Sequence, residues 1–518
     1  MSLFSGKSAP DPTPTAPSTD RLLSDLLRGE EGRHFSQVYQ SHGYFEEPER
    51  LAEIGFQDHS GQNFLGIVGG NTERILRPDG RPEYVTHGGT PIGLTDDRHR
   101  TLIAGSRSGK GRSCIIPELL TNKGSTIVID PKGELASITA RYRAEAMGHS
   151  VSIIDPFRIT PNRCEEYRKQ FNPLAEIGLE NPTAIEDCGL IADALVVSQN
   201  SKDSHWDETA KMFIEAVLLH VAYGEAANKK KNLIYVAELI AGKQGKPFEQ
   251  LLDEMMEMGG PDDRSAAGAI AMREKGTEER GSVLSNVRKN LKFLDYDAMR
   301  HALSHSDFSL GDLKKKPMTI YLVLPATRLS TCKQLLRLFV NMTLAAIEKS
   351  SERPEYPVQL ILDEMAVLGH MRELENAIGQ MAGLGLRITS VLQDIGQLKA
   401  LYKDRYETFL GNSGIIQCFG IVDYQTSEWI SKYLGKTTIR VAERNSTSVE
   451  QKNKGQSGVN YRTHHQELMS PEEVRRYFAR DDHMNRQLIC IPGKRPWITS
   501  RVHYDSHSLF AGRFDGWR

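Results

Sequence analysis

The sequence predicts an α/β fold with a mainly parallel sheet, interrupted by an inserted all-α domain. Three observations lead there. From about Thr101 onward, short runs that are apolar along their whole length alternate with helix-period stretches, the pattern of parallel strands joined by crossover helices. That rhythm stops between Pro173 and about Phe308, where the chain is charged, Met-bearing and helical in pattern. Finally, a glycine- and serine-rich turn stands between the first of the strands and the helix pattern that follows it.

The strands are expected, in order, at TLIA (101–104), STIVID (125–130), VSIID (151–155), MTIYLVL (318–324), VQLILD (358–363), RITSVLQ (387–393) and GIIQCFGI (414–421). Continuous apolar runs suit strands covered on both faces. LICI (488–491) is expected as an added edge strand. Inside the insertion, AIEDCGLIADALV and ETAKMFIEAVLLHVAY repeat apolar residues at spacings of three and four, while KKKNL and MGGPDDRS read as helix connections. The expected organisation is a Pro-, Ser- and Thr-rich disordered arm over 1–20, an N-terminal region over 21–98 and a sheet domain formed by 99–172 with 309–505. The all-α domain spans 173–308, and a tail follows over 506–518. The polar stretch 443–467 is expected to be a mobile loop.

Composition excludes several classes. With Lys plus Arg at 65 against Asp plus Glu at 67, no global field marks the chain as a nucleic-acid binder, so any DNA contact must be local. The six cysteines lack the short spacings of a zinc or redox motif and read as reduced thiols. No apolar run approaches the roughly 20 residues of a membrane span, and the first twenty residues lack the pattern of a signal peptide.

The chemistry concentrates in Ala104-Gly105-Ser106-Arg107-Ser108-Gly109-Lys110-Gly111, between a strand and the pattern SCIIPELL. Glycines let successive N–H groups turn toward phosphate oxygens, and the following helix start adds its positive dipole end. Gly105 to Gly111 and the adjoining Arg112 are therefore the candidate phosphate-binding residues, with Lys110 reaching the β and γ phosphates of ATP. The usual pattern ends in a hydroxyl that ligates magnesium, whereas here Gly111 follows the lysine. VQLILDE ends in Asp363 and Glu364 at the carboxyl edge of the sheet, where ligands of open α/β sheets bind. Asp363 suits Mg2+, and Glu364 suits polarising the water that attacks the γ phosphate. Gln393 ends the next strand. There it can sense the γ phosphate, and it reads equally as a polar strand terminus.

These blocks, with STIVIDPKGEL, ARYRAEAMGHSVSIIDP, FNPL, ILDEMAVLGHM, SVLQDIGQLKALY, NSGIIQCFGIVDYQTSEWISKYLGKTT and LMSPEEVRR, resemble the VirD/TraG-type coupling proteins of bacterial type IV secretion, relatives of hexameric DNA-pumping ATPases. The resemblance covers most of 98–505. It implies a RecA-like P-loop NTPase domain with a projecting all-α domain that recognises cargo. It further implies ATP and Mg2+ as cofactors, a hexamer with an arginine supplied by the neighbouring copy, and transfer of relaxase-bound single-stranded DNA or protein effectors. Gly109 and Lys110 would bind the triphosphate, Asp363 would assist magnesium and Glu364 would activate water. Many members of this branch share the Lys-Gly pair. Asp130 to Leu135, DPKGEL, would line the nucleotide or a subunit interface, and a plain strand-to-helix turn explains it equally well. The neighbour's arginine is open between Arg387 and Arg405. Typical members begin with transmembrane helices, so this chain is expected to be a cytoplasmic variant that reaches the inner membrane and secretion channel through a membrane adaptor. Candidate DNA contacts are Arg98-His99-Arg100, Lys229-Lys230-Lys231 and Lys314-Lys315-Lys316, and His205-Trp206 is a candidate cargo contact. A second reading is a nucleotide-gated docking receptor with little hydrolysis.

Overall fold

The computed structural model describes residues 44–517, apart from 78–79, 81, 179–181, 198–203, 225–230, 244, 246, 259–263 and 445–458. The expected arm over 1–20 lies outside these residues. Among the described residues fifteen strands form, in chain order: β1 (Asn63–Val68), β2 (Asn71–Leu76), β3 (Pro82–His87), β4 (Thr90–Leu94), β5 (His99–Ala104), β6 (Thr126–Asp130), β7 (Ser150–Ile154), β8 (Met318–Val323), β9 (Val358–Leu362), β10 (Leu386–Leu392), β11 (Ser413–Phe419), β12 (Lys436–Arg444), β13 (Val459–Glu467), β14 (Arg486–Cys490) and β15 (Trp497–Ser500).

Eleven of them make one sheet in the order β4-β1-β15-β14-β11-β5-β10-β9-β6-β8-β7. From β11 to β7 every neighbouring pair is parallel. These are the seven strands expected from sequence. Six of them are buried at every position, because helices such as Glu134–Glu145 and Leu329–Lys349 cross back over the faces and remove them from water. From β4 to β11 the pairing is antiparallel.

The LICI strand is therefore not an edge: β14 lies inside the sheet between β11 and β15. Its outer neighbours come partly from residues 21–98, where the sequence announced no strands. A six-residue apolar run such as β1 does not by itself announce an antiparallel partner more than 400 residues away. The stretch 443–467 is corrected as well. β12 and β13 pair antiparallel from Lys436↔Glu467 to Arg444↔Val459, and only the connecting residues 445–458 lie outside the description. Polar strands lack the alternation that signals a half-buried face, so the pairing was silent in the sequence. The last residues are likewise packed rather than trailing: Phe510 is buried edge-on against Phe64, with centroids 5.6 Å apart, and Asp515 accepts from Arg141.

Between Pro173 and Leu310 the described residues form helices and turns without a strand. The helix Ser204–Tyr223 packs with Ala184–Leu195, Arg264–Glu274 and Thr277–Leu291. Their core is continuous with one face of the sheet, since Ile129 and Leu360 belong to the same apolar cluster as Leu195, Val217 and Val287. Phe171, Phe308 and Phe339 join the two regions, with ring centroids 5.3 and 4.6 Å apart around Phe171. The helical insertion is thus fused to the sheet layer instead of hanging from it as a detached unit.

Candidate functional site: the carboxyl edge of the parallel strands

Register brings four strand ends level. Leu392 pairs with Ile103, Ser390 with Leu362 and Ile129 with Leu362, so the residues that follow β5, β10, β9 and β6 share one edge. The β10 strand stands between the phosphate-loop strand β5 and the carboxylate-bearing β9. Gln393 consequently lies between Lys110 and Glu364 in the order of the edge.

The loop from Gly105 to Lys110 is set by sterics and internal hydrogen bonds. A Cβ on Gly105 would collide with the carbonyl oxygen of Gly420 beyond β11, and Gly109 takes φ +87°, which favours glycine. Ser108 closes the turn, its Oγ donating to the Gly105 carbonyl at 2.6 Å. Ser106 and Arg107 are exposed, and Arg107 is held at φ +57°, an uncommon conformation for a side-chain-bearing residue. Lys110 and Gly111 lead into a π-helical turn, Gly111–Ile115, a rare geometry that recurs at functional sites. No hydroxyl stands at Gly111. The next available one, Ser113 Oγ, donates to the Gly109 carbonyl at 2.8 Å. Arg112 contributes backbone to the loop, but its guanidinium turns aside to Glu83 and to Asp505, 2.8 Å from the latter.

Opposite the loop stand the carboxylates. Burial pushes Asp363 up to about 6, Lys110 pulling it down and Glu364 raising it further. Asp130, at the end of β6, is pushed up to about 7 chiefly by burial, despite accepting from the Ala136 and Lys132 backbone N–H groups, with Asp363 adding repulsion. Glu364 takes φ +69°, strain of a kind that clusters at functional sites. Its Oε1 accepts from Gln393 Nε2 at 2.9 Å, which fixes both side chains. Asp130 was legible as part of the DPKGEL block, expected either to line the nucleotide or a subunit interface or to be a plain strand-to-helix turn. Its place as a buried acid close to Asp363 depends on β6 lying beside β9.

Sequence reasoning missed Arg501. Its guanidinium is fully buried, donates to the Ser108 carbonyl at 2.7 Å and stacks over Phe419 at 4.4 Å, so it braces the phosphate loop from below. Nothing local in ITSRVHY marks it.

Several other expectations are not met at this edge. Arg387 is buried at the opposite edge, donating to Gly61 O and Asn63 Oδ1 at 3.3 Å each, and cannot reach another copy of the chain. Arg405 is exposed and 2.5 Å from Glu375. Of the basic clusters, His99 and Arg100 are buried within β5. Lys314 caps the helix Leu329–Lys349 through the Ile347 and Ser350 carbonyls, 2.8 Å from each. Lys231 donates to Ile177 O at 2.5 Å. Lys229 and Lys230 lie outside the described residues. Trp206 is packed against the core, with the exposed His205 edge-on beside it. The six cysteines are free and buried, and no described helix is long and apolar enough to cross a membrane.

A parallel sheet with a phosphate loop on one strand, an acidic pair two strands away and a glutamine-bearing strand between them defines a P-loop NTPase-like fold. The family model for type IV secretory system conjugative DNA transfer matches residues 64–512, and the chain belongs to that family. It is 28% identical over 478 residues to Protein VirD4 of Rhizobium radiobacter, covering 90% of this chain and 65% of that protein. It is 26% identical over 443 residues to the conjugal transfer protein TraG of Escherichia coli, covering 82% and 67%. The chain thus spans about two thirds of the length of these relatives. Among solved structures, the plasmid coupling protein TrwB in complex with the ATP analogue ADPNP matches with a TM-score of 0.62 at 14% identity, over 91% of this chain and 96% of that one. The same protein with ADP and Mg2+ matches at 0.59 with 14% identity, over the same shares of the two chains. At this identity the likeness establishes the fold.

Proposed function

We propose that this chain is an ATP-hydrolysing coupling protein of a type IV secretion or conjugation system. On this reading it recruits relaxase-bound DNA or protein effector cargo and drives its transfer, working as a hexameric ring. The observation that carries the proposal is the Glu364–Gln393 hydrogen bond at the ends of β9 and β10, beside the Lys110 loop. A binding module has no need of a strained carboxylate tied to a neighbouring strand.

The residues suit a magnesium-bound nucleoside triphosphate. Two acids, the buried Asp130 and the half-buried Asp363, are held above the usual carboxylate range, and a divalent cation at this edge would favour their ionised forms. When bound, the metal would supply positive charge that offsets the charge of the triphosphate. Asp363 would hold it, with Asp130 behind. Lys110 and the backbone from Gly105 to Gly111 would neutralise the triphosphate. Glu364 would take the proton of the attacking water, oriented by Gln393, which relays the state of the site to β10. Arg405 is the exposed candidate for reaching a neighbouring site. The partners on this reading are the cargo, the secretion channel and a membrane adaptor at the cytoplasmic face of the inner membrane, with the helical insertion as the cargo-facing surface. Gly111, which offers no hydroxyl to the metal, favours the second reading of a nucleotide-gated docking receptor.

Magnesium-dependent ATP hydrolysis by the purified chain, with and without single-stranded DNA, separates the two. Turnover stimulated by DNA and abolished in Lys110→Ala and Glu364→Gln supports the motor. Nucleotide binding without turnover under every condition supports the receptor.

A further inference from the structure

The turn that follows Lys110 cannot satisfy its own backbone. The Ile116 N–H donates to Gly111 O, five residues back, and is thereby lost to Arg112 O, which an α-helix would have given it. The next donor in that register belongs to residue 117, which is Pro117 and has no N–H. Arg112 O is left without a partner from its own helix. The far end of the chain supplies one: the Tyr504 N–H donates to Arg112 O at 3.2 Å. A second contact lies on the other side of Lys110, where Arg501 Nη1 donates to Ser108 O at 2.7 Å. A third holds the turn by its side chain, Asp505 accepting from Arg112 Nε at 2.8 Å. Residues 501–505 thus bracket Lys110 from both sides.

Arg501 is a costly residue for a brace alone. It is 2% exposed, its Nε shares Asn485 O with its own backbone N–H, and its Nη2 has no partner among the described residues. A buried guanidinium with an idle N–H is destabilising, and an anion seated in the loop offsets that. Beyond Asp505 the chain runs over the helix Glu134–Glu145, the Asp515 N–H donating to Ile138 O at 3.0 Å and Arg141 Nε to Asp515 at 2.9 Å. The same helix gives its Ala136 N–H to Asp130 at 2.9 Å. The C-terminal strand of contacts therefore joins the phosphate loop to the helix that steadies Asp130.

We infer that residues 501–505 are a positioning segment of the phosphate site, with Arg501 and the Tyr504 N–H setting the backbone path at Lys110, and that polyphosphate in the loop locks this segment in place. The inference rests on the nucleotide-binding reading above and deepens it. Neither group touches phosphate; both act through the loop. Coupling between two sites is reciprocal, so a segment that shapes the loop for phosphate is itself held more tightly when phosphate is bound.

The test is hydrogen exchange of the full wild-type chain with and without saturating inorganic tripolyphosphate, read on peptides covering 501–505 and, as a control, the helix Arg264–Glu274. Tripolyphosphate should slow exchange at 501–505 and leave the control unchanged, because local opening of the segment is what binding suppresses. Affinities of two variants complete it. Arg501→Lys keeps the charge but lacks the fork that spans Ser108 and Asn485, and should bind tripolyphosphate roughly tenfold more weakly. Arg501→Met, which also loses the charge, should bind more weakly still. Thermal melts check that the variants fold; if neither does, exchange of the wild-type chain decides. Unchanged exchange at 501–505 in a chain that binds tripolyphosphate overturns the inference, and so does equal slowing of the control peptide. A folded Arg501→Lys of wild-type affinity also overturns it and leaves Arg501 a structural brace. A wild-type chain that binds neither ATP nor tripolyphosphate would instead overturn the nucleotide-binding reading itself.

Discussion

The two edges of the parallel strands bury charge in opposite ways. At the amino edge the buried arginines Arg100 and Arg143 have internal partners. Arg100 pairs with Glu118 at 3.4 Å, and Glu118 also accepts from Gln359 at 2.8 Å and from Phe64 N–H at 3.1 Å. Arg143 is spread over the Leu119, Asn122 and Gly124 carbonyls at 2.6 to 3.0 Å. At the carboxyl edge the half-buried Asp363 and the buried Asp130 repel each other, and no side chain among the described residues donates a hydrogen bond to Asp363. An acid in that state is costly until something outside the chain supplies positive charge. The contrast separates charges that hold the fold from charges that wait for a ligand.

Four measurements sharpen or break that contrast. The largest effect is expected at the ligand edge: Glu364→Gln should lower turnover roughly a hundred- to ten-thousand-fold, the worth of a positioned base, with nucleotide affinity and melting temperature nearly unchanged. A comparable loss of stability would show that Glu364 is structural. Next, Arg100→Met at the amino edge strands Glu118 and should cost about 3–5 kcal/mol in urea unfolding. A cost under about 1 kcal/mol, the scale of an exposed pair, would mean that the amino-edge network is not holding the sheet.

Asp363→Asn should do the reverse and stabilise the nucleotide-free chain, by about 2 kcal/mol above pH 7. The folded carboxyl titrates near 6, above its unfolded value, so the penalty for its ionised form is full above that pH and fades as pH falls toward 4. Urea titrations at pH 8 and pH 4 check this; equal effects at both would remove buried charge as the cause. The smallest effect belongs to Asp505→Asn, which loosens the partly exposed Arg112 pair and should cost about 0.5 kcal/mol.

Much of the fold could be read from the residues because burial on both faces leaves a one-dimensional trace. TIVID and VQLIL are mostly apolar and buried at every position, as helices over both faces require. The antiparallel half left no such trace. β1 gains its place only through β15, and β12 and β13 are polar strands stabilised by each other. For the site, Lys110, Asp363, Glu364 and Gln393 were legible because loop glycines and strand-terminal carboxylates are local signals. Arg501 was not, because bracing the loop requires a residue 393 positions beyond Ser108 in the chain.

By itself, then, the sequence determined the seven parallel strands, the helical interruption and the chemical groups at the strand ends, since each follows from local composition and period. Tertiary structure alone decided which ends become neighbours. It placed Gln393 between the loop and the acid, set Asp130 beside Asp363 and buried Arg387 at the wrong edge to serve another copy. Strand order is fixed by which faces and registers pack best across the whole sheet, and no local window of residues contains that information.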